Sequence, residues 1–365
     1  MKLFGKDTKG GIKEWTVEVH GSEIIVTHGK LGGKMQLKVT KCEGKNIGRS
    51  NETTPEAQAQ AEALSKFKKQ IDKNYRPTIE ELEEVGNNLP MLAHDYTRVG
   101  HRMSFPCHIS PKLDGVRCLA RIKDGTVTLT SRGGKEYPVP LKIKHDLLSV
   151  WEFMEVDEVI LDGELYIHGV SLQNIVSAVK STDNPIHGDV EFHIFDMPSD
   201  EPWEQRWLNL RDLQSDIDYL MGRCSLQIVG NVLVTSEGEA RGYLQRFMDA
   251  GYEGLMLRAL DAPYKFNHRS VGLMKWKEFQ DVEAKIVAVR EDKLGEGVLT
   301  CELQNGVRVD CKLRGSHEYR RVEVQRTLMG AWITIKFQQY TDDGVPQFPV
   351  GLGVRECDEE GYPVV

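Results

Sequence analysis

The sequence predicts an α+β protein built in three parts, and three observations carry that reading. Residues 14–40 alternate apolar and polar side chains and are followed by a helix signal. A long middle stretch mixes short strand-like runs with helical ones, and from Asp281 onward the runs read almost entirely as β. At 365 residues the chain has length for two or three domains. Its 40% hydrophobic and 28% charged content is that of an ordinary globular chain. It shows no apolar run of membrane-spanning length and no export-like N-terminus, so neither a membrane nor secretion is expected. Seven cysteines without a C-x-x-C pair argue against a zinc ribbon or a disulfide framework and suit a reducing cytosol.

The first part is residues 1–75. Trp15, Val17 and Val19, then Met35, Leu37 and Val39, sit at every second position, with glycine turns between the runs. Thr54-Pro55-Glu56 predicts a helix start, a capping threonine followed by proline at the first helical position. Ala57, Ala61, Leu64, Phe67 and Ile71 then recur at helical spacing and give the helix one apolar face. A polar stretch, residues 76–88, reads as a linker to the second part, residues 89–279. There, strand-like runs at Arg117–Ile122, Val127–Thr130, Val159–Leu165 and Glu191–Phe195 alternate with helices, one starting at Ser171 and another over about Glu239–Ala250. The third part, residues 280–365, offers strands at Ala284–Arg290, Gly297–Leu303, Val307–Leu313 and Trp332–Gln338. That many short strands in so few residues suit a small barrel such as an OB-fold.

Charge is uneven. The whole chain carries −8, yet residues 1–80 hold 15 Lys and Arg against 10 Asp and Glu, so the remainder carries −13. A basic head on an acidic body still fits a polyanionic partner, because phosphate contacts are local.

Lys112-Leu113-Asp114-Gly115-Val116-Arg117 is the most informative stretch. It matches the K-x-D-G-x-R signature and so resembles the covalent nucleotidyltransferases, which hold a nucleotide on a lysine. The residue types make chemical sense. A lysine that attacks an α-phosphate must be unprotonated at that moment, which nearby cations and partial burial favour. Gly115 permits close backbone approach, and Arg117 offers a planar fork to phosphate or ribose oxygens.

Other motifs follow in order: Pro90-Met91-Leu92-Ala93, Ser131-Arg132-Gly133-Gly134, Leu161-Asp162-Gly163-Glu164-Leu165, Phe195-Asp196, Glu253-Gly254-Leu255-Met256-Leu257 and Lys275-Trp276-Lys277. With these, residues 89–355 resemble the ATP-dependent DNA ligases, and the compact layout is similar to the small phage and bacterial forms. The resemblance implies a nucleotidyltransferase (ATP-grasp-like) core with a C-terminal OB-fold. It implies ATP as nucleotide donor, Mg²⁺ or Mn²⁺ as metal, and nicked duplex DNA as substrate, in replication, repair or recombination. A monomer in a bacterial cytoplasm or a phage-infected cell is expected, with protein partners open.

The same resemblance distributes roles. Lys112 carries AMP. Ser110 touches the base edge and Phe195 stacks on adenine. Arg117, Arg132 and Glu164 join the nucleotide site, with Arg132 reading the nick phosphate and Arg269 a second phosphate contact. Lys275 and Lys277, two apart and so on one face of a strand, are expected to point at the α-phosphate. Glu164 and Glu253 supply hard oxygens for the metal. His168, His187 and His193 show no metal-ligand spacing and read as structural or surface residues.

Two departures stand out. Gln347 precedes Phe348-Pro349 where the family usually has arginine, leaving Arg355 as the basic residue of the last motif, and the large helical DNA-binding domain of long ligases is missing. The N-terminal part offers a substitute. His28-Gly29-Lys30-Leu31-Gly32, a following helix and Tyr75 faintly resemble a WGR domain, which makes Lys30 and Lys34 candidate DNA contacts. An RNA ligase or capping guanylyltransferase shares the lysine motif, and a non-catalytic break-binding protein is the reading from a different class.

Overall fold

The computed structural model describes residues 1–358 apart from 8–10, 87–88, 138–140, 155, 221–223 and 342. The chain divides into two compact units, residues 1–241 with 256–275, and residues 242–255 with 276–365.

The first unit opens with an antiparallel sheet in sequence order, β1 (Lys2–Lys6), β2 (Ile12–His20), β3 (Glu23–Lys30) and β4 (Met35–Lys41). The alternation at 14–40 is present, but β1, too short to show a pattern, adds a fourth strand whose Leu3 is fully buried. Helix α1 (Pro55–Ile71) begins as its sequence predicts: the Thr54 hydroxyl accepts from Ala57 N at 3.2 Å with Pro55 at the first helical position. Its packed face differs from the expected one. Ala59 and Ala63 are buried against Trp15, Val17 and Ile24, with Phe67 and Ile71 beside them, while Leu64 stays exposed. Small alanines let the helix sit close to the sheet, and that fixes its rotation. Met35, Leu37 and Val39 share a face as expected. Register pairs Leu37 with Thr27 and Thr27 with Thr16, opposite in parity to buried Trp15 and Val17, so this apolar row lies on the other side of the sheet from α1. The stretch read as a linker contains helix α2 (Ile79–Gly86), and Arg76 exchanges backbone hydrogen bonds with Phe4; residues 87–88 lie outside the described residues.

Two five-stranded sheets follow. One has the order β11-β10-β9-β7-β8, built from β7 (Val116–Lys123), β8 (Thr126–Ser131), β9 (Glu158–Tyr166), β10 (Glu191–Asp196) and β11 (Leu226–Ile228). The other has the order β12-β6-β13-β14-β5, from β5 (Leu92–Asp95), β6 (Cys107–Lys112), β12 (Val232–Val234), β13 (Gly254–Ala259) and β14 (Arg269–Trp276). Five helices connect them: α3 (Tyr96–Val99), α4 (Leu141–Phe153), α5 (Leu172–Lys180), α6 (Trp203–Leu220) and α7 (Glu237–Asp249), with Ser171 at the N-cap of α5.

The second unit holds a closed barrel, β15 (Gln280–Glu291), β16 (Gly297–Leu303), β17 (Arg308–Leu313), β18 (Trp332–Phe337) and β19 (Val350–Val354), with α8 (Val322–Arg326) between β17 and β18. Four of these strands are legible in the sequence. The fifth, β19, reads Val-Gly-Leu-Gly-Val and offers little side-chain pattern; it becomes a strand because it bridges β17 and β18 and closes the barrel. Inward Ala284, Ile286, Leu299, Leu313, Ile333 and Ile335 fill the interior. All seven cysteines are free thiols. No helix among the described residues is long and apolar enough to cross a membrane.

Candidate active site

Lys112 ends β6, and its Nζ donates to the Leu113 carbonyl at 3.3 Å. Ser110, two residues earlier and hence on the same side of the strand, is buried. The strand is anchored by His108, whose Nδ1 accepts from the buried Trp203 indole at 3.0 Å. Burial holds His108 below the usual histidine range and so favours the neutral ring that can accept this bond.

Asp162 on β9 gathers a second network. Arg117 on β7 donates through Nε to Asp162 Oδ1 at 2.6 Å and through Nη2 to Oδ2 at 2.5 Å, and Nη2 also reaches Met91 O at 3.2 Å. The Tyr264 hydroxyl donates to Asp162 Oδ2 at 2.6 Å and accepts from Met91 N at 3.0 Å. Burial works against the Arg117 charge, but the Asp162 carboxylate more than offsets it and raises the guanidinium above its ordinary value. Arg117 was expected to present its fork to the nucleotide. Its fork is instead bidentate on Asp162, so it braces the strand pair and the Met91 segment. Asp162, Tyr264 and Met91 were not among the expected site residues, although all lie in or near the motifs.

Glu164 stands opposite Arg117 in the β7–β9 register. Gly115 makes room for it: a Cβ there would lie 2.7 Å from Glu164 Cγ and 2.5 Å from Leu165 O. Burial pushes the Glu164 carboxyl up to about 8; Arg117 opposes this, while Asp162 and Asp114 add to it. Arg132 opposes it too, so the two guanidiniums offset only part of the cost of a negative charge there.

Phe195 on β10 is partly buried, with the Arg117 guanidinium 4.8 Å and the Arg258 guanidinium 5.6 Å from its ring centre. Behind it lies a fully buried triad. Arg206 donates through Nε to Asp196 Oδ1 at 2.7 Å, and Arg258 Nη1 donates to Asp196 Oδ2 at 2.5 Å. Arg206 also caps the Glu201 and Ala262 carbonyls at 2.6 and 3.0 Å. Two arginines on one carboxylate leave a net positive charge beside the aromatic platform. Neither arginine gave a readable signal, because Arg206 lies on α6 far from any motif and Arg258 follows one.

Arg132, Arg269 and Lys275 form a cationic group. Arg132 is exposed in the turn after β8, and Arg269 and Lys275 lie at the two ends of β14. Burial lowers the Arg132 pKa, and the charges of Arg117 and Arg269 add to that. Burial also lowers Lys275; Asp95 opposes this, while Arg269, Arg132 and Arg98 reinforce it.

Lys277 departs from expectation. β14 ends at Trp276, so strand alternation does not hold Lys277 on the face of Lys275. Within the second unit its ammonium pairs with Glu253 and donates to Gln338 Oε1 at 3.0 Å, and Gln338 Nε2 donates to Glu253 Oε1 at 2.5 Å. Glu253, expected as a metal ligand, is thus engaged by an ammonium and an amide. Gly254 beside it has φ +152°, and a Cβ there would lie 2.2 Å from Trp276 O, which explains the glycine. In the last motif Gln347 is buried, its Oε1 accepting from Gln339 at 3.3 Å, and Arg355 lies 3.5 Å from Glu283. In the N-terminal sheet, Lys30 and Lys34 are exposed, with Asp7 3.8 Å from the Lys30 ammonium. His193 pairs with Glu191, His168 with Tyr166 and His187 with the Ala178 carbonyl, which are structural contacts.

This fold and site define a covalent nucleotidyltransferase core followed in the chain by a small barrel. The model of the ATP-dependent DNA ligase domain matches residues 90–277, and that of the DNA ligase OB-like domain matches residues 291–355. A DNA ligase of African swine fever virus is 30% identical over 325 residues, 83% of this chain and 72% of that protein. The DNA ligase of Enterobacteria phage T4 is 24% identical over 274 residues, 59% of this chain and 54% of that one. A solved structure from work on Lig E DNA ligases and "DNA binding with a minimal scaffold" superposes with a TM-score of 0.60 at 28% identity, over 73% of this chain and 99% of that one. The chain belongs to the ATP-dependent DNA ligases, which settles the choice against an RNA ligase, a capping enzyme or a non-catalytic binder.

Proposed function

We propose that Lys112 is the residue through which this ligase uses ATP. Its Nζ attacks the α-phosphorus, pyrophosphate leaves, and the resulting lysyl-AMP passes its nucleotide to the 5′-phosphate of a nicked duplex, where the 3′-hydroxyl displaces AMP. The observation that carries the reading is the packing of the Lys112–Arg117 loop on Glu164, with Gly115 against the Glu164 side chain. Phe195, backed by Arg258, is the platform for adenine. Lys275 balances charge that develops on the α-phosphate, and Arg132 and Arg269 receive the nick phosphate. Arg117 acts through Asp162 as a positioning residue.

A divalent cation suits this donor set. No three His, Cys, Asp or Glu side chains among the described residues are grouped to hold a metal by themselves. Glu164 is nevertheless a hard oxygen donor whose charge Arg117 and Arg132 offset only in part, and Mg²⁺ commonly binds through one carboxylate plus substrate phosphates. Glu164 would hold Mg²⁺ or Mn²⁺, which supplies neutralisation of phosphate charge. The free thiols suit a bacterial cytoplasm or a phage-infected cell.

The test is Lys112→Ala, incubated with labelled ATP and resolved by denaturing electrophoresis. No labelled protein and no sealing of a plain nick are expected, while a nick already carrying 5′-AMP is sealed slowly. A labelled adduct in the variant sinks the assignment.

A further inference from the structure

The cations around Lys275 extend past Arg132 and Arg269. Edge strand β5 pairs in parallel with β14, placing Asp95 opposite Lys275 and Leu92 opposite Arg269, and Arg269 donates to the Ala93 carbonyl. β5 runs straight into α3, where Asp95 is the N-cap: its Oδ1 accepts from Thr97 N at 3.1 Å and from Thr97 Oγ1 at 2.7 Å. The next turn presents Arg98, with 78% of its side chain exposed, and then exposed Arg102. Asp95 lies 3.8 Å from Arg98, but its better hydrogen bonds are spent on the cap.

Arg98, Arg132 and Arg269 all act on Lys275, and Arg102 and Arg269 both act on His94, so these side chains share one neighbourhood. Like charges gathered at a sheet edge repel one another unless a polyanion covers them. A triphosphate brings three phosphates to one point, whereas a nucleic-acid backbone presents one at each step and suits cations spread along a strand and the turn after it.

We infer that the Arg98–Arg102 turn binds the DNA backbone next to the nick 5′-phosphate, continuing the phosphate track of Arg132, Arg269 and Lys275. This rests on the reading of Lys112 and Arg132 given above. Backbone contacts of this kind position the duplex and carry no base information.

The experiment uses full-length enzyme bearing Arg98→Gln and Arg102→Gln together. Both side chains are exposed, so folding is not at stake. Adenylylation with labelled ATP is measured first, without DNA. The adenylylated protein is then titrated with 5′-phosphorylated nicked duplex across a salt series. Adenylylation should match the parent. Nick affinity should fall on the order of ten-fold, and the slope of log K against log salt should flatten by about two, close to one for each phosphate that is no longer neutralised. A duplex with 5′-hydroxyl at the nick should show the same flattening, since the two arginines act on the adjoining backbone. Unchanged affinity and slope overturn the inference. Slowed adenylylation with intact nick affinity also overturns it and assigns the turn to the triphosphate. A failure of the Lys112 reading would appear separately, as adenylylation of Lys112→Ala.

Discussion

In the nucleotidyltransferase core, Asp196 is fully buried between Arg206 and Arg258, and Asp162 is 1% exposed between Arg117 and Tyr264. In the N-terminal module, Lys30 keeps 71% of its side chain exposed, and Asp7 stands 3.8 Å away. The first arrangement fixes charges before any ligand arrives, at a high desolvation cost offset by bidentate hydrogen bonds. The second leaves charges hydrated at little desolvation cost, the arrangement expected of a surface that holds a duplex by its phosphates. Chemistry on one phosphorus atom needs the former, and holding a long polyanion needs only the latter.

Asp196→Ala should have the largest effect. It leaves two buried arginines without their carboxylate, and the cost should be about 3–5 kcal/mol in chemical unfolding. A loss under about 1 kcal/mol would mean that water reaches the triad. Tyr264→Phe should cost less, about 1–3 kcal/mol, because it removes one hydroxyl that joins Asp162 to Met91 N. Adenylylation should slow as the Arg117 fork loosens. An unchanged rate beside a lowered stability would show that this network only supports the fold.

Changes in the module should spare the chemistry. Deleting residues 1–75 should weaken nick affinity and flatten its salt dependence, with adenylylation by ATP nearly unaffected, since each residue assigned to that step lies beyond Leu89. Reversing charge at Lys30 and Lys34 should reproduce part of that loss. An unaltered salt slope in the truncated enzyme would reduce the module to a folding or docking element.

The smallest effect concerns acid. In the barrel, hydrogen bonds from Lys312 are the main cause holding both Asp292 and Glu296 at about 2. A depressed carboxyl contributes its stability above the ordinary carboxylate value and loses it as pH falls toward the folded one. Barrel stability should therefore be level above about pH 4.5 and decline between there and about pH 2, with Lys312→Met flattening the decline. Tryptophan fluorescence across that range reads the result, and a pH-independent barrel would show that solvent screens the pairs completely.

Much of this was legible in the chain. Lys112, Glu164, Phe195 and Lys275 stand in motifs because each motif is a short strand or turn whose local geometry its own residues dictate. Thr54-Pro55 started a helix where capping chemistry requires one. What stayed hidden depended on partners distant in sequence. β19 has too little side-chain pattern to declare itself and exists because β17 and β18 leave a gap to close. The face of α1 was set by which alanines fit against Trp15, a choice that helical periodicity leaves open.

Within the proposed site, the sequence offered the residue types the chemistry needs, a nucleophile, a hard oxygen and an aromatic ring, because each is fixed by what it would do. Which charges are already spent depended on the fold. Arg117 is committed to Asp162 across 45 residues and Asp162 to Tyr264 across 102, while Lys277 is committed to Glu253. A charged side chain pairs with whatever opposite charge the fold brings near it in low dielectric, and spacing along the chain carries no record of that distance.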